Sequence, residues 1–109
     1  LATIQLTIDD IADRVWLTGT IGTLRSTQNN TTVLFELRRN GTPIFSTLDN
    51  IPSNTLPTTT TFTTVDLLPV VGLNTYQLFG RVFSSSGAAT VTTNGPLTLT
   101  GAEIEGNPP

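Results

Sequence analysis

Eight carboxylates and five Arg are the only charged side chains in these 109 residues; His, Cys and Lys are absent. Asp9, Asp10 and Asp13 crowd into one short stretch, and Glu103 and Glu105 stand two apart near the end. Three Asp in a loop offer the oxygen chemistry that holds Ca²⁺. Their spacing matches no EF-hand loop, which needs a Gly and a terminal Glu, so a turn capped by Asp side chains is the simpler reading. Glu103 and Glu105 share one face of a strand. A glycosidase needs two carboxylates about 5–10 Å apart across a cleft, whereas neighbouring acids on a surface strand are ordinarily solvated. Without His or Cys the nucleophile–base dyads and triads cannot assemble, and Ser–Lys pairs fail for lack of Lys. Zinc loses both of its preferred ligands. The sequence therefore predicts no enzyme, no catalytic residues, no metal and no cofactor.

What must position any site is a β-rich frame. Twenty-three residues are Thr, a β-branched type suited to a pleated, half-wet surface. Charged residues are 12% of the chain, about half the usual ~25%, so the surface is polar without being repulsive. A net charge of -3 argues against nucleic acid, which calls for a basic face. The basic doublet Arg38-Arg39 reads as two solvated side chains on opposite strand faces. No apolar run approaches the ~20 residues of a membrane-spanning helix. Without Cys there is no disulfide framework, and without Lys no Lys–Asn isopeptide crosslink can form. The chain opens on Leu1, which points to a cleaved leader or a trimmed N-terminal arm upstream.

Period-two alternation dominates. Ala2, Ile4, Leu6 and Ile8 form one row, with Thr3, Gln5 and Thr7 opposite. After an Asp9–Asp13 loop, Arg14 to Ile21 sets Val15, Leu17 and Ile21 inward and Trp16, Thr18 and Thr20 outward. Gly22 to Asn30 reads as a polar loop. Strands follow over Thr32 to Arg39 and Thr42 to Leu48, joined by the hairpin signal Asn40-Gly41. Asp49 to Pro57 reads as a connection. Further strands are predicted over Thr58 to Leu67, Thr75 to Ser84, Ala88 to Thr93 and Leu97 to Glu105, the last two separated by Asn94-Gly95-Pro96. The expected fold is all-β: an antiparallel two-sheet sandwich, a jelly roll of about eight strands, with an immunoglobulin-like sandwich as the alternative. Residues 1–8 form an N-terminal strand, 9–105 the sandwich domain and 106–109 a tail.

The candidate interface residues are Ala2, Ile4, Leu6, Ile8, Trp16, Phe79 and Phe83. The first four would be the buried face of an N-terminal strand, either the chain's own first strand or one donated to a neighbouring subunit. Trp16 suits the core, a subunit interface or a stacked sugar ring. Phe79 and Phe83 stand opposite Tyr76, Leu78 and Val82, which leaves their strand apolar on both faces and suggests subunit contact or coverage by an extra strand. Asn29-Asn30-Thr31-Thr32 and Asn40-Gly41-Thr42 match the short N-glycosylation pattern.

Four phrases stand in order along the chain: Phe35-Glu36-Leu37-Arg38-Arg39-Asn40-Gly41-Thr42-Pro43-Ile44, Phe62-Thr63-Thr64-Val65-Asp66, Gly72-Leu73-Asn74-Thr75-Tyr76-Gln77-Leu78 and Leu97-Thr98-Leu99-Thr100-Gly101-Ala102-Glu103-Ile104. From Thr31 to Ile104 the chain resembles the jelly-roll domains, akin to tumour necrosis factor and C1q, of collagen-like exosporium glycoproteins. It is also similar to the endospore appendage fibre subunits of spore-forming Gram-positive bacteria. The resemblance implies an extracellular subunit at the cell or spore surface that self-associates and brings no catalytic residues. The partners it implies are copies of the chain itself, as a homo-oligomer or fibre, and a spore-surface anchor or tip protein. The chain lacks a Gly-X-Y repeat and a Cys-rich connector, so assembly would be non-covalent, by β-strand augmentation. The alternative is a carbohydrate- or receptor-binding module of a fibre tip or phage.

Overall fold

The computed structural model describes residues 1–25, 29–52 and 55–106. Alternating apolar residues resolve into seven strands: β1 (Ala2–Ile8), β2 (Arg14–Arg25), β3 (Thr31–Arg39), β4 (Thr42–Ile51), β5 (Thr58–Asp66), β6 (Gly72–Ser85) and β7 (Val91–Ile104). They form two antiparallel sheets, ordered β1-β6-β3-β4 and β5-β2-β7. The expected two-sheet sandwich is thus present. Among the described residues no helix is long and apolar enough to cross a membrane.

Side chains of period two face each other across the sheets. Val15, Leu17 and Ile21 of β2 meet Val33, Phe35 and Leu37 of β3 and Tyr76 and Leu78 of β6, all essentially sealed from solvent. The Asn40-Gly41 turn has φ of 50° and 87°, the two positive values that a type I′ hairpin requires.

Several strands run further than their polar sequences suggest. Residues 22–25, expected in a loop, extend β2, because Thr23, Leu24 and Arg25 pair with Thr93, Thr92 and Val91. Of that expected loop, residues 26–28 lie outside the described residues. Asn94-Gly95-Pro96 does not divide two strands. The chain continues through it as one β7, with the register shifting between Ile21 and Thr23 opposite. Gly22 permits the passage: a Cβ there would collide with the Asn94 carbonyl oxygen. Seven strands replace the expected eight for this reason. Ala88 to Thr90 precede β7, and β4 extends to Ile51. Residues 53–54 of the following connection and 107–109 of the tail lie outside the described residues.

One buried polar network ties both sheets together. Tyr76, fully buried, donates its hydroxyl to Asp66 Oδ2 at 2.7 Å. Asp66 Oδ1 accepts from Arg39 Nη1 at 2.6 Å and from the Leu68 amide at 3.3 Å. Burial first, then the Asp66 carboxylate, push the Tyr76 phenol above its ordinary range. Arg39 is therefore not the solvated side chain expected from the sequence. Tyr76→Phe leaves Asp66 Oδ2 buried without its donor. It should cost about 1–3 kcal/mol, read as a lower denaturant midpoint at unchanged slope.

Candidate functional site

Strand β1 is held by one neighbour and one floor. It pairs antiparallel with β6 from Ala2↔Leu78 to Ile8↔Gly72, and the Leu1 ammonium donates to the Leu78 carbonyl at 2.8 Å. Ala2, Ile4 and Leu6 are half-buried and Ile8 is sealed, whereas Thr3, Gln5 and Thr7 face solvent. The floor is β7. A Cβ placed on Gly101 would lie 2.9 Å from Leu6 Cδ1 and 3.0 Å from Ile4 Cδ1. The missing side chain of Gly101 is thus the socket that Ile4 and Leu6 fill.

The outward aromatic residues differ from one another. Trp16 is 50% exposed, on the outer face of the three-stranded sheet, in register with Val65 of β5 and Ala102 of β7. Beside this apolar row run two rows of Thr: Thr63, Thr18 and Thr100, then Thr61, Thr20 and Thr98. The Thr18 and Thr100 hydroxyls hydrogen-bond to each other. These Thr rows carry no charge; Arg14, two residues before Trp16, brings the nearest one to this face. Phe79, on the other sheet, is covered by Arg38, whose guanidinium carbon lies 4.2 Å from the ring centroid and whose Nε bonds Glu36. That cation–π contact accounts for Phe79 within the chain. Phe83 remains 53% exposed.

The four sheet edges are unequal. β4 carries Pro43, Asp49 and a register shift opposite Leu37 and Arg38. β7 carries Pro96, its own register shift and Glu103. These are the devices that deter strand addition. β1 has none of them: no charge, no Pro and an unbroken register. β5 is likewise bare until Asp66. Because β1 packs over β7 and β4 over β5, the two unguarded edges lie on opposite sides of the sandwich.

No protein-family model matches the chain, and no curated protein matches it. The candidate site therefore rests on geometry.

At the end of the molecule where β1 turns into β2, the acids noted separately in the sequence come together. The loop is the expected Asp-capped turn: Asp10 Oδ1 accepts from the Ala12 amide at 2.9 Å, and the Asp10 carbonyl from the Asp13 amide at 3.0 Å. Asp13 is 1% exposed and its Oδ1 accepts from the Gly106 amide at 2.8 Å. That bond is the main influence holding the Asp13 carboxyl below its ordinary range. One carboxylate oxygen from each of Asp9, Asp13, Glu103 and Glu105 lies within 4.8 Å of the others. The facing Asp13 carboxyl, then burial and nearby negative charge, raise Glu103 to about 7. The charges of Asp13 and Asp9 raise Glu105. Glu103 is thus not the solvated surface acid expected from the sequence. Asp10, though in the same loop, is outside this group of four.

Proposed function

We propose that this chain is a self-assembling extracellular structural subunit, of a spore-surface fibre or appendage, joined non-covalently by exchange of β1 between neighbours. One observation carries the reading: β1 is an unguarded edge strand, seated by an apolar row in the Gly101 socket and joined to the rest by a single short loop. Donated β1 would make on the next subunit the pairs with β6 that it makes at home, so exchange costs little enthalpy and depends on chain concentration. The bare edge of β5 on the opposite side supports further association. A contact between unlike edges on opposite sides propagates instead of closing. The elongated shape, 55 × 21 × 19 Å, suits a fibre repeat. The spore-surface assignment comes from the resemblance of Thr31 to Ile104 to exosporium and appendage subunits.

Concentrated chain is expected to form fibres in negative-stain microscopy, unchanged by reducing agent because the chain has no Cys. Monomers alone at high concentration would contradict the reading.

A second reading, carbohydrate or receptor binding, draws on the half-exposed Trp16 beside its Thr rows. It requires glycan-array signals that Trp16→Ala abolishes. Lateral packing of subunits through the same face instead requires that Trp16→Ala thin or unbundle the fibres.

A further inference from the structure

The geometry points to a Ca²⁺ site built by Asp9 and Asp13 from the β1–β2 loop and Glu103 and Glu105 from the end of β7. Proximity of four acids would not suffice on its own. The second observation is Asp13: the residue is 1% exposed, yet its Oδ2 is sealed and has no hydrogen-bond partner among the described residues. Glu103 Oε2 is sealed and unpartnered in the same way. A buried carboxylate oxygen without a donor is costly unless a cation or a proton meets it. No Arg pairs with these acids: the ion pairs found among the described residues are Arg38–Glu36 and Arg39–Asp66, both elsewhere. Four of the chain's eight carboxylates therefore converge, with Arg14 bordering Glu105 but forming no ion pair to the group.

Four oxygens within 4.8 Å of one another can close on a single cation. Ca²⁺ accepts an irregular, flexible set of carboxylate oxygens, whereas Mg²⁺ demands a near-ideal octahedron and keeps several waters. An all-carboxylate donor set is hard and anionic, as Ca²⁺ prefers. The ion would pin the loop that leads out of β1 to the far end of β7, residues some ninety positions apart in sequence. The inference stands independently of strand exchange.

The test is isothermal titration calorimetry and thermal unfolding of the EDTA-stripped full chain at pH 7.5, with CaCl₂ or MgCl₂. Saturable binding of one Ca²⁺ per chain is expected, with a rise in Tm on the order of 10 °C at a hundredfold excess over Kd. Mg²⁺ should give a much smaller shift. Glu105→Gln, at an exposed position, should fold normally and bind Ca²⁺ at least about tenfold more weakly, since it removes one charged ligand. Absence of binding up to about 10 mM Ca²⁺, above the about 0.1–1 mM constants of extracellular modules, would overturn the site. So would Ca²⁺ binding that Glu105→Gln and Asp9→Asn leave unchanged, or equal shifts with Mg²⁺. A proton in place of the ion has its own signature. With Glu103 raised from 4.5 to about 7, metal-free stability is fullest below pH 4.5 on this account and falls as pH rises through 7. The groups facing Glu103 there are Asp9, Asp13 and Glu105. That pH profile without any Ca²⁺ response would assign the cluster to proton sharing and refute the metal.

Discussion

A chain lacking residues 1–8 is expected to form no fibres and to bind a synthetic peptide of residues 1–8 instead. The truncation removes the whole of β1 and bares the edge of β6 and the Gly101 socket. Burial of Ile8 in full and of Ile4 and Leu6 by about half contributes about 3–6 kcal/mol. That is a large part of the about 5–15 kcal/mol by which domains are stable. The shortened chain should therefore unfold far more easily, and the peptide should raise its Tm in a saturable way. Its β6 can accept a strand, but it has none to give, so growth stops. Fibres from the shortened chain equal to those of the intact one would show that β1 is not the joint.

The converse defect is expected from Gly101→Leu. The new side chain would occupy the space that Leu6 and Ile4 now fill, where even a Cβ would lie 2.9 Å from Leu6 Cδ1. Overpacking of this kind costs about 1–3 kcal/mol, and the loss of the β1 seat adds to it. The variant keeps an intact β1 and can donate it, but cannot accept one. Added in small amounts to the unaltered chain, it should cap growing fibres and shorten them, as measured by length distributions in micrographs. Mixtures in which lengths stay unchanged, with the variant incorporated throughout, would remove the socket from the account.

The strands were legible because the core asks only for period two. Val15, Leu17 and Ile21 point inward and Trp16, Thr18 and Thr20 outward, as their alternation required. The Asn40-Gly41 hairpin was legible because its two positive φ values need those residue types. The strand break at Asn94-Gly95-Pro96 was misread, since turn residues can also sit in a bulge that the opposite strand accommodates with Gly22. Arg25 looked like loop sequence, yet its head is turned inward onto the carbonyls of Asn29 and Pro52.

Each half of the acidic corner was visible: Asp9, Asp10 and Asp13 as a loop, Glu103 and Glu105 as one strand face. Their meeting was not, because it depends on which end of β7 lies beside the β1–β2 turn, a fact of sheet order. The Asp66–Tyr76–Arg39 network was missed for the same reason. The only hint was an Asp closing an otherwise uncharged β5. The β1 row was recognised as apolar, but that it rests on Gly101 follows from the sandwich alone.

Cysteine trapping across the β1–β6 register tests the central claim most directly, since the chain has no Cys of its own. Thr3 pairs with Gln77. Antiparallel partners stand about 4.5 or 5.5 Å apart at Cα, within the about 4.4–6.8 Å that a disulfide spans. Thr3→Cys and Gln77→Cys chains, made separately, mixed during assembly and oxidised, are expected to give a covalent dimer joining one chain of each kind. Fibres in which the mixed single variants yield no such dimer, while the Thr3→Cys/Gln77→Cys double variant closes only within itself, would contradict strand exchange.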